Sequence, residues 1–196
     1  MEENFDALEV IARTRGKVEM DDIPTGENIF LVWGWPTAVL FLLEFVLWQL
    51  FRQEWCLWLW VGIPVVAVPL MVHFLRKDHE RTHVRTHNAK VVLDYWIFVG
   101  AACGIGGFAF GFAGLYEDCF MPLVCLLVGI GSFLTGEILR FRPKIVCGLI
   151  GCAAGMASFL LRGDLWHWQL LSVAMVALVS LIVPGILYNR RVRDGV

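Results

Sequence analysis

Apolar residues along this chain are not scattered. They fall in six blocks, at about 29–51, 55–75, 91–115, 118–139, 145–161 and 166–188. Each block is long enough to cross roughly 30 Å of hydrocarbon at about 1.5 Å per residue. Short polar turns follow the first, third and fifth blocks: Arg52-Gln53-Glu54, Tyr116-Glu117-Asp118 and Arg162-Gly163-Asp164. Basic stretches follow the second and fourth, from Arg76 to Lys90 and from Arg140 to Lys144. The pattern predicts an all-α integral membrane protein with about six transmembrane helices arranged as three helical hairpins. A threefold internal repeat would give the same alternation, as would any six-span chain that starts and ends on one side.

Three regions follow from the pattern. Residues 1–27 form a polar tail, 28–189 the six-helix transmembrane domain and 190–196 a basic tail. In the first, Phe5, Leu8, Ile11 and Ala12 share one face at helical spacing, the pattern of a short amphipathic helix on a membrane surface. A flexible tail fits the same residues. Asp21 to Gly26 is expected to break any helix before the membrane. The N-terminal residues lack the basic-then-apolar order of a cleaved signal peptide, so the first span is expected to be retained.

Charge sets the orientation. With the N-terminus inside, fourteen of the sixteen Lys and Arg residues are cytoplasmic, and only Arg52 and Arg162 lie outside. Basic residues accumulate on the cytoplasmic side of membrane proteins, so both termini are expected there. Tryptophan agrees: Trp48, Trp55, Trp58, Trp60, Trp166 and Trp168 fall near the outer interface, and Trp33, Trp35 and Trp96 near the inner one.

Composition supports this reading. Hydrophobic residues make up 58% of the 196 and charged residues 17%, with a mean hydropathy of +0.68. The net charge of −2 and the lack of a separate basic domain exclude nucleic acid as a partner. Six cysteines include no CxxC, and only Cys56 and Cys119 lie near outer helix ends where a disulfide is conceivable.

Polar residues within spans are rare and expensive, so each is a candidate site. Glu44 is the sharpest, roughly 9 Å from the outer end of its helix by helix rise. Such a carboxyl must face the protein interior, find a partner or stay protonated, and His167 is a candidate partner. A second group, His73, Asp94 and Glu137, shares the cytoplasmic level and is a candidate vestibule lining. Local pairs offer another account, Glu137 with Arg140 and Asp94 with Lys90.

Gly100, Gly104, Gly107, Gly111 and Gly114 fall on one stripe of the third span, and Gly148, Gly151 and Gly155 on one stripe of the fifth. Gly129, Gly131 and Gly136 add to the fourth. Small residues let helix backbones approach closely in lipid, so these positions are expected to pack helices, either within one chain or between copies. A narrow pore lining is the remaining alternative.

His79-Glu80-Arg81-Thr82-His83 matches HExxH, and His87 extends it. The stretch is a charged segment between spans, with no third-ligand motif and no enclosing domain. It reads as a solvated basic helix extension, with weak metal or pH sensing by His79, His83 and His87 as the alternative. No catalytic zinc, cofactor, P-loop or Ser/His/Asp arrangement is expected, which disfavours an enzyme.

Phe30-Leu31-Val32-Trp33-Gly34-Trp35, then Val84-Arg85-Thr86-His87 and Tyr95-Trp96, resemble a group of uncharacterised multi-span inner-membrane proteins of Bacteroidota. The resemblance implies a bacterial inner membrane and carries no activity. The residues themselves favour a small transporter or channel-like protein of unknown substrate, forming a homo-oligomer in the bilayer. The alternative is a signalling or accessory subunit whose acidic tail and Arg76–Lys90 loop dock a cytoplasmic protein.

Overall fold

The computed structural model describes residues 24–79, 87–113 and 119–193. Among them every regular element is helical. In chain order these are α1 (Pro24–Phe51), a 3-10 helix (Glu54–Val61) running into α2 (Gly62–His79), α3 (His87–Phe112), α4 (Met121–Ile138) and α5 (Arg142–Ser158). A 3-10 turn (Gly163–Leu165), α6 (Trp168–Ala177), a π turn (Leu178–Ile182) and α7 (Val183–Arg193) complete it. The last three elements form one continuous span.

Five helical segments are long and apolar enough to cross a membrane, and α5, at 17 residues, reaches about 26 Å. The chain is an all-α membrane protein of three helical hairpins. Helix α1 starts at Pro24, earlier than the break expected across Asp21–Gly26. The reason is local: proline at a first helical position has its φ pre-set and gives up an N–H that would be unpaired there. The tail helix expected within residues 1–23, His83 and the rest of 80–86 lie outside the described residues.

Left-handed residues end the helices. Arg52 at φ 48° closes α1 with its N–H on the Trp48 carbonyl at 3.0 Å. Arg140 at φ 50° closes α4 with two bonds, Phe141 N–H to the Gly136 carbonyl at 2.8 Å and Arg140 N–H to the Glu137 carbonyl at 3.1 Å. That pair of bonds is a Schellman closure, and it turns the chain directly into α5.

Burial separates core helices from peripheral ones. Half of α4 and 56% of the last span are buried, against 17% of α3 and 11% of the second span. The closest pair is α4 with α5, and glycine makes it so. A Cβ on Gly129 would stand 2.5 Å from the Cys152 amide nitrogen, and one on Gly136 would stand 2.7 Å from that of Ile145. Backbone therefore lies on backbone along this seam. Dispersion over such a contact replaces the hydrophobic drive that lipid does not supply.

The π turn has a traceable cause. Pro184 has no N–H, so the carbonyl of Ser180, four residues earlier, loses its helical donor. In hydrocarbon an unpaired carbonyl is costly, and no water is at hand to relieve it. The Ser132 hydroxyl of α4 supplies the missing bond, donating to the Ser180 carbonyl at 2.5 Å. Ser180 in turn donates its hydroxyl to the Cys147 carbonyl of α5 at 3.0 Å. Two hydroxyls thus tie α4, α5 and the last span at one level.

Changes at Ser132 and Pro184 are expected to be non-additive. Ser132→Ala strands the Ser180 carbonyl and lowers stability in mild detergent by about 1 kcal/mol or somewhat more. In a Pro184→Ala background the helix donor returns, so the same change is expected to cost much less. Equal costs in both backgrounds, read by thermal unfolding, contradict the assignment.

Candidate functional site

Glu44 lies on the face of α1 that meets the last span. Its side chain is fully buried (0% exposed), and neither carboxyl oxygen has a hydrogen-bond partner among the described residues. The register of the two helices is given by aromatic pairs. Trp48 meets the Trp166 ring edge-on at 4.8 Å, and Phe45 lies 5.3 Å from Trp168. Glu44 lies one helical turn from both Phe41 and Trp48, which belong to a core that also includes Trp166, Leu170 and Val173.

His167 is not paired with it. Its ring stacks on Phe45 at 6.3 Å and lies against Trp168 at 5.8 Å, half-buried. On α6 the side chain of Gln169 is also 0% exposed. Its Nε2 donates to the Leu161 carbonyl after α5, and its Oε1 has no partner.

The three residues grouped by depth in the sequence, His73, Asp94 and Glu137, do not line the central cavity. His73, Asp94 and Glu137 are exposed on α2, α3 and α4, and the His73 ring sits edge-on to its own neighbour Phe74. This cavity, of about 160 Å³, opens at the centre of the bundle. Trp33, Thr37 and Phe41 line it from α1, and Trp60, Ile63 and Pro64 from the second span. Trp96, Val99, Gly100, Cys103 and Gly104 line it from α3, Phe120, Val124 and Val128 from the α4 region, and Leu181 from the π turn. Its wall is aromatic and carries no charge.

Two of its indoles turn their N–H groups into the protein. Trp33 donates to Met71 Sδ at 3.3 Å, and Trp96 donates to Thr135 Oγ1 at 3.1 Å. Thr135 passes its own proton to the Gly131 carbonyl at 2.6 Å. These rings therefore wall the cavity rather than serving only as interface anchors. Trp35, Trp55, Trp58 and Trp168 are exposed on the outer surface, where an amphipathic ring suits the lipid headgroup level.

The glycine stripes divide. A Cβ on Gly148 would strike the Phe133 backbone, one on Gly151 the Ser180 hydroxyl, and one on Gly155 would lie 2.9 Å from the Leu126 nitrogen. Of the stripe on α3, Gly107 is close-packed, with Trp60 at 3.1 Å and Phe120 at 3.3 Å, and Gly114 lies outside the described residues. Gly100, Gly104 and Gly111 have nothing within 4 Å of where a Cβ would stand. These three therefore pack against no other helix of the described chain, and Gly100 and Gly104 border the cavity. Cys56 and Cys119 are both free thiols.

The structure adds Lys144, which the sequence groups with the loop bases Arg140 and Arg142. It occupies the first turn of α5 and is 2% exposed. Its Nζ makes no hydrogen bond and stands over the Phe30 ring, 2.8 Å from the centroid. A desolvated cation–π contact contributes about 2 kcal/mol, less than the several kcal/mol that burying an ammonium costs. Lys144 therefore marks the inner end of the bundle without stabilising it. Gly34 also went unflagged. A Cβ there would stand 2.8 Å from Ile182 Cγ1, so its lack of a side chain lets α1 lie on the π turn.

No family model matches the chain, and no curated protein or solved structure matches it either.

The divided stripes carry a test. Gly148→Ala must push α4 and α5 apart, an overpacking cost of about 1–3 kcal/mol. Gly100→Ala meets open space and gains helix propensity, so it is expected to leave the melting temperature in detergent unchanged or raised. A larger loss for Gly100→Ala than for Gly148→Ala contradicts the packing described.

Proposed function

We propose that this chain is a small transporter or channel-like protein in which Glu44 couples movement through the bundle to uptake and release of a cation. The observation that carries the reading is the Glu44 carboxyl: fully buried at membrane depth, with no hydrogen bond to either oxygen. A group so costly to bury is retained in membrane helices chiefly where it binds or relays charge. A structural carboxyl would be expected to carry partners, and this one has none among the described residues.

The central cavity is the proposed substrate position. Phe41, one turn from Glu44 on the same helix, belongs to its wall, so occupancy of the cavity and the state of the carboxyl share a helix turn. The cavity's size and aromatic lining suit a small organic molecule with a flat apolar face. The proposed setting is a bacterial inner membrane with both termini cytoplasmic, supported by the basic residues of the inner loops.

Purified protein in liposomes loaded with a pH-sensitive dye provides the test. Wild type is expected to dissipate an imposed cation or pH gradient faster than empty liposomes. Glu44→Gln is expected to fall to the empty-liposome rate while keeping its helical circular dichroism, and Glu44→Asp to retain part of the flux. Equal flux in wild type and Glu44→Gln makes Glu44 structural. It would leave the accessory-subunit reading, in which the spans only anchor and pack.

A further inference from the structure

An open groove of about 620 Å³ runs between α1 and α2 and shares no lining residue with the central cavity. Leu31, Trp35 and Val39 line it from α1 at steps of four, and Val66, Leu70 and Phe74 line it from α2 at the same step. Each set forms one stripe of its helix, so two stripes wall a common trough. All nine lining residues are apolar. Trp35, Val39, Val66 and Leu70 keep between 42% and 53% of their surface open, so no protein fills the trough.

The groove begins at one edge of the membrane spans. Leu31 follows Phe30, the first residue of the first span, and Phe74 is the last residue of the second. From that edge it reaches Leu40 on α1 and Val66 on α2. By helix rise these stretches are about 14 Å and about 12 Å, close to half of a hydrocarbon layer of about 30 Å. The trough thus covers one leaflet, from its edge toward the midplane. Arg76 is exposed two residues beyond Phe74, just outside the span. Lys77 and Asp78 come next, so this turn carries net positive charge.

We infer that the groove holds one acyl chain of a phospholipid, from the leaflet at the Pro24 end of α1, with the lipid phosphate on Arg76. A guanidinium donates charge-assisted hydrogen bonds to phosphate oxygens, and its long side chain reaches along the interface. A helix from a second copy fits worse. Helices approach closely in lipid over glycine, alanine and serine, and the lining contains none of these. Branched and aromatic side chains leave uneven walls, to which a flexible chain conforms and gains dispersion contacts. Water fits worse still, because it needs polar partners that these walls do not offer. The second span buries only 11% of itself in protein, and a bound chain adds contacts that the protein leaves unmade. The site is independent of the transport reading, since neither Glu44 nor the cavity wall takes part.

A photoactivatable lipid tests this on the full chain. The protein is reconstituted in vesicles of phosphatidylethanolamine and phosphatidylglycerol. A trace of phosphatidylethanolamine with a diazirine midway along one acyl chain is included, and adducts are mapped by peptide mass spectrometry. Val146, Leu149 and Ile150 of α5, each about half exposed to the same leaflet, report lipid that merely passes. Wild type is expected to carry several-fold more adduct on 31–40 and 66–74 than on 146–150. Leu70→Trp, which fills the trough, should bring the groove down to the α5 level and leave α5 unchanged. Arg76→Gln should lower groove labelling several-fold, and a diazirine fatty acid, which has no phosphate, should label groove and α5 alike. Equal phospholipid labelling of groove and α5 in wild type overturns the proposal. Groove labelling that survives Arg76→Gln and is matched by the fatty acid replaces the phospholipid with a free acid. An unlabelled groove whose 31–40 segments cross-link between chains assigns it to a second copy.

Discussion

Within the hydrocarbon layer no water completes an unfinished hydrogen bond, and the rest of this structure answers to that constraint. It forces the backbone into helices. It also makes a single proline expensive unless another helix provides the lost donor. Ser132 does so for the carbonyl that Pro184 abandons, and the π turn is registered on α4 as a result. The same constraint makes Glu44 informative. In a soluble protein an unpartnered carboxyl would be relieved by solvent, whereas at the contact of α1 with α6 only a proton or another ligand can relieve it.

The bundle is built in two parts that differ in how tightly they pack. The seam of α4 and α5 joins backbone to backbone through Gly129, Gly136, Gly148 and Gly155, and the last span is tied to it by two serine hydroxyls. Helices α2 and α3 bury far less of themselves. The central cavity lies at the boundary, walled by α4 and the π turn on one side and by α2 and α3 on the other. Elements with few buried contacts are the ones whose displacement costs least. Access to the cavity is thus cheapest through α2 and α3, while α1, which carries Glu44, is held against the firm part.

Much of this was legible in the sequence, because span length and the need to bury polar groups leave few choices. The blocks of apolar residues mark the helices, and the depth of Glu44 in its block already implies an inward-facing carboxyl. What failed to show was pairing across helices. Gln169 lies between Trp168 and the apolar run and looks like an interface residue. In the fold it is fully buried and bonds the Leu161 carbonyl, while His167 turns to the aromatic rings. Lys144 sits two residues from Arg142 and reads as a loop base, until the tight closure at Arg140 starts α5 early enough to carry it inward. The glycines of α3 and α5 have the same spacing. Which stripe meets another backbone depends on the partner helix, and spacing does not encode that.

Solid-state NMR of the isotopically labelled protein in bilayers tests the central claim most directly, that Glu44 is a dry carboxyl held inside the bundle. The expected result is no magnetisation transfer from water to the side-chain carboxyl carbon of Glu44. A strong water cross-peak at Glu44 would contradict it, placing the carboxyl in a hydrated path or at the headgroup level.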